Sequence, residues 1–386
     1  MANDTLEGNR HRGIPRQGAS PHTLIDAIQG TLADFLAAQI GSLDSIDPAL
    51  GRFARTARDL VHAGGKRLRP VFAYWGWRGS TGPGAPVEPV LPAFAALELM
   101  HTFALIHDDV MDESDTRRGR PTAHRIFAGQ HENDGSIGDP ERFGSSAAIL
   151  IGDLCLVWAD QLLARSEAPP TVRACYDRMR VEAIAGQYLD ILGENQPGAW
   201  SVDRALLVAR HKTASYTIQR PLQLGLALTG VVQPETEQAY GSYGLAVGEA
   251  FQLRDDLLGV YGDPAVTGKP AGDDLRTGKP TALLMLARKL ATPAQRAELT
   301  LDPAGAVNPA DGSGGSTYAL TEGGFSQAQI ERRAGIIAET GAPARLEAMI
   351  QERVADGVAA LAQAPIHEEA RAALIELAVR VTHRPA

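Results

Sequence analysis

Long apolar segments with helical spacing constrain the fold of this chain more than any other feature. Apolar residues recur at intervals of three and four in the segments 24–40, 85–107 and 145–166, which is the period of one helix face. Alternation with a period of two is rare and β-branched clusters are sparse, so strands are not needed. Because the apolar helices are numerous and close together, we predict one large all-α bundle rather than two domains.

Stretches rich in glycine, proline and polar residues divide these segments. The breaks fall at 79–89, 129–144, 192–201 and 262–281. Residues 1–21 are polar and lack the apolar run of a secretory signal. Residues 301–324 have the composition of a flexible surface insertion. We therefore predict a flexible leader at 1–21 and one domain at 22–386, which carries the insertion.

Charge and cysteine content argue against several classes of function. The 386 residues carry a net charge of −9, which argues against a nucleic-acid binder that neutralises phosphates. The two cysteines, Cys155 and Cys175, each lie in a helical segment, and we expect buried free thiols in a reducing, cytoplasmic compartment. No uninterrupted apolar run reaches the roughly 18 residues of a membrane-spanning helix, so no transmembrane segment is predicted.

The segment LIHDDVMDESDTRRGRP, residues 105–121, places carboxylates at the end of an apolar helix. On such a helix Asp112 lies about 40° from Asp108 and one turn further, and Asp115 and His101 extend the stripe. Buried carboxylates are costly unless something positive neutralises them. Mg²⁺ is one candidate, because it takes one or two carboxylates and completes its shell with substrate phosphates. For this motif alone, a solvated helix end is the alternative.

Arginines follow the same motif, and further acidic residues lie downstream. Arg117 and Arg118 would bind phosphate oxygens if the carboxylates bind the metal. The segment GEAFQLRDDLLGVYGD again runs from an apolar helix into an aspartate pair, Asp255 and Asp256. Asp190 in IAGQYLDIL is a third candidate ligand. Apolar helices that end in aspartate pairs predict a metal site between facing helices in a bundle core.

Basic residues accompany each acidic cluster. The turn AGGKRLRP offers backbone N–H groups and cations for a phosphate, although it lacks the spacing of a P-loop. The cations concerned are Lys66, Arg67, Arg69, Lys212, Lys269 and Lys279. Each alone is an ordinary surface charge, but in an acidic protein their total indicates a polyanionic substrate held with metal.

Taken together, these motifs resemble those of trans-isoprenyl diphosphate synthases of the polyprenyl synthetase family, short-chain type. The resemblance covers nearly the whole chain from about residue 24, apart from 301–324. It rests on the ordered motifs GGKRLRP, ELMHTFALIHDDVMDESDTRRGRPTAH, GQYLD, HKTAS, FQLRDDLLGVYGD and GKPAGDDLRTGKPT. It implies an all-α bundle around a central apolar cavity and, as partner, a second copy of the chain in a homodimer.

The resemblance also implies roles for individual residues. The Mg²⁺ ligands would be Asp108, Asp112, Asp190 and Asp255. The allylic diphosphate would contact Arg117, Lys212, Lys269 and Lys279. Isopentenyl diphosphate would contact Lys66, Arg69, His101 and Arg118. Thr213 and Gln252 would lie against the reacting carbons, and Asp109 and Asp256 would complete the catalytic aspartate pairs.

The implied reaction is a head-to-tail condensation of isopentenyl diphosphate with dimethylallyl, geranyl or farnesyl diphosphate. Mg²⁺ and the cations would stabilise diphosphate as it leaves, and the allylic cation would then alkylate isopentenyl diphosphate. In the family, an aromatic residue five positions before the first aspartate, here Phe103, tends to stop elongation, which suggests geranylgeranyl or farnesyl diphosphate as product. Core packing alone is the other reading of Phe103. For His107, beside Asp108, we expect a structural role.

One departure from the family pattern leaves other functions open. The second motif is DDxxD in many members, whereas here its fifth position is Gly259. A non-catalytic subunit that binds prenyl diphosphates is therefore one alternative. A class I terpene cyclase is another, but GGKRLRP provides the cations of a second substrate. An HD-type phosphohydrolase is the third, although only one HD pair, His107 with Asp108, supports it.

Overall fold

The computed structural model describes residues 21–166, 168–196, 200–263, 272–300 and 325–383. Apart from Pro21, the predicted leader lies outside these residues, as do the whole predicted insertion and Lys269. Apart from one two-stranded hairpin, the regular secondary structure of the described residues is helical, which confirms the all-α prediction. The predicted domain limits stay a prediction.

The helices before the midpoint of the chain are α1 Pro21–Asp44, α2 Pro48–His62, α3 Leu68–Thr81, α4 Leu91–Met111, α5 Ala123–Asn133, α6 Pro140–Leu163 and α7 Pro170–Asn195. The later ones are α8 Val202–Val208, α9 Arg220–Ala227, α10 Pro234–Tyr261, α11 Asp273–Arg276, α12 Ala282–Leu290, α13 Pro293–Thr300, α14 Gln327–Glu339, α15 Ala342–Leu361 and α16 Glu368–Thr382. A 3₁₀ turn at Glu88–Val90 precedes α4, and a π-helix at Ala209–Gln219 joins α8 to α9.

Helix α4 lies in the centre of the larger apolar core and carries the first aspartate motif at its end. Its alanines, leucines and methionines favour helix, and Pro92 occupies its first turn. It packs mainly against α6, while α10 packs against α15 and the π-helix. A second apolar cluster under α12, α14 and α15 supports the end of α10. The two aspartate-bearing helices therefore belong to well-packed parts of the bundle.

A short hairpin follows α4, where no strand was predicted. Its strands, β1 Thr116–Arg117 and β2 Arg120–Pro121, pair in antiparallel register. Arg118 and Gly119 form the two-residue turn with φ of +55° and +71°, as a type I′ turn requires. Because this turn reverses the chain at once, Arg117 lies back over the end of α4.

Two helical stretches are long and apolar enough to cross a membrane, Glu88–Met111 and Pro140–Leu163. This signal is weak, because 61% and 50% of the apolar windows are buried inside the protein, as in core helices of water-soluble folds. The expectation of free thiols is confirmed, since neither Cys155 nor Cys175 forms a disulfide, but only Cys155 is fully buried and Cys175 is partly buried.

Candidate active site

One cavity of about 1240 Å³ contains most of the residues that the sequence singles out. Its lining includes the predicted residues Lys66, Arg69, His101, Phe103, Asp108, Asp112, Arg117, Arg118, Asp190, Lys212, Thr213, Gln252, Asp255, Asp256 and Lys279. Asp109 does not line it, and Lys269 lies outside the described residues. The cavity thus brings together groups from six separate sequence motifs.

A carboxylate–lysine cluster, formed by Asp108, Asp190, Lys212 and Lys279, occupies one wall of the cavity. Lys212 Nζ lies 3.0 Å from Asp108 Oδ1 and 2.6 Å from Asp190 Oδ2. Lys279 Nζ lies 3.0 Å from the same Asp190 oxygen. These four side chains are between 9% and 26% exposed, so their charges interact through little water.

The cations of the cluster keep its carboxylates ionised. Burial alone would raise the pKa of Asp108, but Lys212, Lys279 and Arg117 outweigh it and hold that pKa at about 2. Burial likewise opposes ionisation of Asp190, and the two lysines lower its pKa nevertheless. Two negative oxygen donors are therefore available at neutral pH.

Arg117, on strand β1 of the hairpin, binds both aspartates of the pair at the end of α4. Its Nε donates to Asp109 Oδ1 at 2.6 Å, and its Nη2 donates to Asp108 Oδ2 at 3.1 Å. Asp109 is buried, and burial raises its pKa to about 6 although Arg117 opposes the rise. Asp109 therefore orients Arg117 but does not itself line the cavity.

The predicted stripe of carboxylates ends earlier than its spacing suggested. Helix α4 stops at Met111, and Asp112 is its C-cap, with its N–H directed to the carbonyl of Asp108. The expectation that Asp115 extends the stripe is wrong, because the chain has left the helix and Asp115 binds Arg125 at 2.6 Å. Partial burial and then Asp108 raise the pKa of Asp112.

A π-helix presents Lys212 and Thr213 to the cavity together. An i→i+5 hydrogen-bond pattern widens each turn, and such segments are frequent at functional sites. The cavity receives Ala209, Lys212, Thr213, Tyr216 and Thr217 from this segment, and Val208 from the end of α8. The sequence indicated helix here, but no local signal distinguished a π-helix from an α-helix.

The two aspartates of the second pair, Asp255 and Asp256, differ in their burial and contacts. Both line the cavity, but Asp256 is only 4% exposed, whereas Asp255 is partly exposed. Asp256 accepts a hydrogen bond from Gln252 Nε2 and another from the backbone N–H of Ala282, each at 2.9 Å. It therefore ties α10 to the start of α12, and it orients Gln252, whose Oε1 accepts from Thr213 at 2.6 Å.

Gly259 marks the missing fifth position of the second motif, and a carboxylate from elsewhere fills its space. A Cβ atom at Gly259 would lie 2.0 Å from Oδ2 of Asp274, a residue of α11. Asp274 also lines the cavity and adds to the negative charge that raises the pKa of Lys279. Asp274 was not among the predicted site residues, although it lies in the motif GKPAGDDLRTGKPT.

A basic loop cluster, formed by Lys66, Arg69, His101 and Arg118, lies at another part of the same cavity. Arg118 donates to the carbonyl of Gly64, and its guanidinium lies 2.9 Å from where a Cβ of Gly65 would be. Gly65 has a φ of +140°, so this close approach requires glycine. The Gly-Gly turn thus places a loop of cations beside the hairpin.

Aromatic and buried partners fix the orientation of this cluster. The Arg69 guanidinium lies 4.0 Å from the centre of the Tyr216 ring, and Tyr216 Oη lies 3.3 Å from His101 Nδ1. Burial, then Arg69 and Arg118, hold the pKa of His101 well below its usual range, so the imidazole is neutral. Arg67 pairs with the buried Glu98 and supports the loop from beneath.

Phe103 and His107 form the apolar side of the cavity next to α6. Their ring centres are 4.8 Å apart in an edge-to-face arrangement. His107 Nε2 lies 3.0 Å from the carbonyl oxygen of Ile149. The structural role expected for His107 agrees with this contact. Phe103 lines the cavity, and its role in limiting chain length stays a prediction.

Comparison with known proteins identifies the family. A model of the family described as polyprenyl synthetase matches residues 51–302. The chain belongs to the polyprenyl synthetase family. This polyprenyl synthetase is 37% identical over 249 residues to geranylfarnesyl diphosphate synthase of Aeropyrum pernix. The aligned region covers 62% of this chain and 71% of that one. It is 32% identical over 273 residues to (2E,6E)-farnesyl diphosphate synthase of Mycobacterium tuberculosis, covering 70% and 69%.

Solved structures agree with that membership. Geranylgeranyl pyrophosphate synthase from Corynebacterium glutamicum, complexed with isoprenyl diphosphate and magnesium, matches this polyprenyl synthetase with a TM-score of 0.85. The two are 39% identical, and the match covers 95% of this chain and 100% of that one. The resemblance stated from the motifs is thus confirmed at the level of family and fold.

The donor groups in the cavity fit a magnesium ion. Asp108, Asp112, Asp190 and Asp255 offer carboxylate oxygens, the hard ligands that Mg²⁺ prefers. Within the described ranges, no three His, Cys, Asp or Glu side chains already form a group that could hold an ion. Mg²⁺ usually takes one or two protein carboxylates and fills its remaining positions with water and phosphate oxygens.

Proposed function

We propose that this polyprenyl synthetase is a prenyltransferase that condenses isopentenyl diphosphate with allylic diphosphates, head to tail and in trans geometry. The observation that carries the proposal is the arrangement of one cavity, which joins the carboxylate–lysine cluster, the basic loop cluster and an apolar end. The two cationic clusters can bind two diphosphate substrates, and the apolar end of the cavity can hold a growing prenyl chain. The product is a short-chain prenyl diphosphate, geranylgeranyl or farnesyl diphosphate.

The carboxylate–lysine cluster would hold the allylic diphosphate. Lys212, Lys279 and Arg117 contact carboxylates in the structure, and their flexible or forked donors can turn to phosphate oxygens. Asp108, Asp112, Asp190 and Asp255 would hold Mg²⁺, which when bound neutralises charge on the leaving diphosphate. Cations placed where negative charge develops favour breakage of the allylic C–O bond.

The pair Thr213–Gln252 would face the allylic cation. The Thr213 hydroxyl donates to Gln252 Oε1, and each oxygen keeps a lone pair for a neighbouring positive centre. Asp256 fixes Gln252 from behind, so these oxygens cost little reorganisation when the cation forms. Burial in the bundle excludes water, which would otherwise capture the cation.

The basic loop cluster would hold isopentenyl diphosphate beside that cation. Lys66, Arg69 and Arg118 carry positive charge, and the neutral His101 can donate one further hydrogen bond. Fixing the second substrate in this way makes alkylation an effectively intramolecular step. The departed diphosphate lies in the same cavity and can accept the proton that is then lost.

We further propose that the enzyme works as a homodimer in the cytoplasm. Large apolar side chains between 46% and 67% exposed, which do not line the cavity, follow one another along α6 and α7, namely Ile149, Leu150, Val157 and Val181. A face of this kind is expected at an interface between subunits. Light scattering should give the mass of two chains, and Leu150→Glu should give the mass of one.

One assay tests the proposed reaction against its rivals. Purified full-length protein is mixed with Mg²⁺, isopentenyl diphosphate and farnesyl diphosphate, and the products are separated by mass. A synthase gives longer prenyl diphosphates, and omission of isopentenyl diphosphate stops their formation. Hydrocarbons would indicate a cyclase, inorganic phosphate a phosphohydrolase, and unchanged substrates a binding subunit without catalysis.

A further inference from the structure

One face of α7 lines the cavity along much of the helix, and a charged residue lies at its deep end. The lining residues recur at helical spacing, namely Arg180, Ala183, Ile184, Gln187, Tyr188, Asp190 and Ile191. Asp190 belongs to the carboxylate–lysine cluster, and Arg180 is ten residues earlier. At 1.5 Å per residue, Arg180 therefore lies about 15 Å from Asp190 along the helix.

Arg180 lies deeper in the cavity than Phe103. Helix α6 gives the direction. The carbonyl oxygen of Ile149 lies 3.0 Å from His107, the neighbour of Asp108, whereas Asp160, which binds Arg180, is eleven residues further along α6, or about 16 Å. Phe103 is five residues before Asp108, which is about 7.5 Å along α4, roughly half the distance that separates Arg180 from Asp190.

Arg180, on α7, belongs to a charged network that connects α6 and α7. Its Nη1 donates to both carboxylate oxygens of Asp160 at 3.0 Å, and its Nη2 donates to Asp177. The guanidinium also lies 4.7 Å from the centre of the Tyr176 ring. Its side chain is only 18% exposed, whereas Arg173, which also contacts Asp160 and Asp177, is 52% exposed and does not line the cavity.

We propose that the Arg180–Asp160 pair is a second, polar floor of the elongation channel, beneath Phe103. A growing prenyl chain gains free energy while its carbons bury against apolar walls such as Leu156, Ala183 and Ile184. A chain that reaches Arg180 must separate the ion pair or strip it of its remaining water, and either cost is comparable with the gain from a further unit. The inference rests on the proposed function and deepens it.

The two floors can be distinguished by combining substitutions in the full-length enzyme. Phe103→Ala removes the upper floor, and its products are compared with those of Phe103→Ala/Arg180→Met by mass spectrometry, with Mg²⁺, farnesyl diphosphate and excess isopentenyl diphosphate. Phe103→Ala/Arg180→Lys keeps the charge, and Phe103→Ala/Arg173→Met removes a neighbouring arginine that does not face the cavity. Thermal unfolding of each variant checks the fold.

We expect Phe103→Ala/Arg180→Met to raise the share of products longer than the main product of Phe103→Ala by about tenfold, because separation of a partly buried ion pair would no longer be needed. The two controls should leave the distribution unchanged. Should Arg180→Met unfold the protein, Asp160→Leu/Arg180→Met replaces both partners and leaves no unpaired charge between them. If the double variant elongates but its product distribution is the same as that of Phe103→Ala, the proposal of a second floor is wrong. If the wild-type protein itself does not elongate, the proposed function is wrong.

Discussion

Substitution of Gly259 by aspartate restores the DDxxD pattern, and the structure predicts that it harms the enzyme. The new Cβ would lie 2.0 Å from Asp274 Oδ2, although real Cβ contacts essentially never fall below 3.0 Å. Asp274 must therefore move by about 1 Å, and a displacement of that size near reacting groups can cost about 100-fold in rate. The two carboxylates would also repel by up to about 4 kcal/mol at an effective dielectric constant of 20, less where water screens them.

Steady-state rates of diphosphate release and thermal unfolding measure the effect. Gly259→Asp should lower kcat about 100-fold, and Gly259→Ala, which adds the Cβ without a charge, should show a smaller loss. Gly259→Asp/Asp274→Gly moves the carboxylate from α11 back to α10 and should recover most of the rate. A Gly259→Asp enzyme with wild-type activity would refute the idea that Asp274 occupies the place of the missing aspartate.

Three further outcomes are expected. Arg67→Met leaves Glu98 buried without its partner and should lower the free energy of unfolding by about 3–5 kcal/mol in urea titrations; a loss below about 1 kcal/mol would contradict the pairing. Burial raises the pKa values of Cys155 and Cys175 to about 12, so neither thiol should react with Ellman's reagent at neutral pH until the protein unfolds, and one fast-reacting thiol would disprove this. Asp190→Asn should raise the Mg²⁺ concentration for half-maximal rate about tenfold or more, and an unchanged value would remove Asp190 from the surroundings of the metal.

Local sequence pattern was sufficient for the helices but not for their contacts. The apolar spacing of 24–40 and 145–166 corresponds to α1 and α6, because burial of one helix face is a local property of the sequence. The contact between Asp108 and Lys212 joins residues 104 positions apart and depends on how whole helices pack. Only the resemblance to the family placed these two residues in one site before the structure was known.

Some features of the site have a local signal in the sequence, and others have none. Glu98 is the single acidic residue in the apolar stretch LPAFAALELMHTF, and a buried acid needs a cationic partner, which the structure shows to be Arg67. The hairpin that returns Arg117 to α4 depends on Gly119, whose turn chemistry was readable. The π-helix at Ala209–Gln219 differs from an α-helix only in how its turns are closed by the surrounding packing.

The neutral pairing inside the carboxylate–lysine cluster has a thermodynamic consequence. Metal alone must compete with Lys212 and Lys279 for the same oxygens, and diphosphate alone must compete with Asp108 and Asp190 for the same ammonium groups. When metal and diphosphate bind together, the displaced lysines bind phosphate oxygens and the displaced carboxylates bind the metal. Each ligand therefore raises the affinity of the site for the other. Calorimetry should therefore record weak uptake of either one separately and strong positive cooperativity between them.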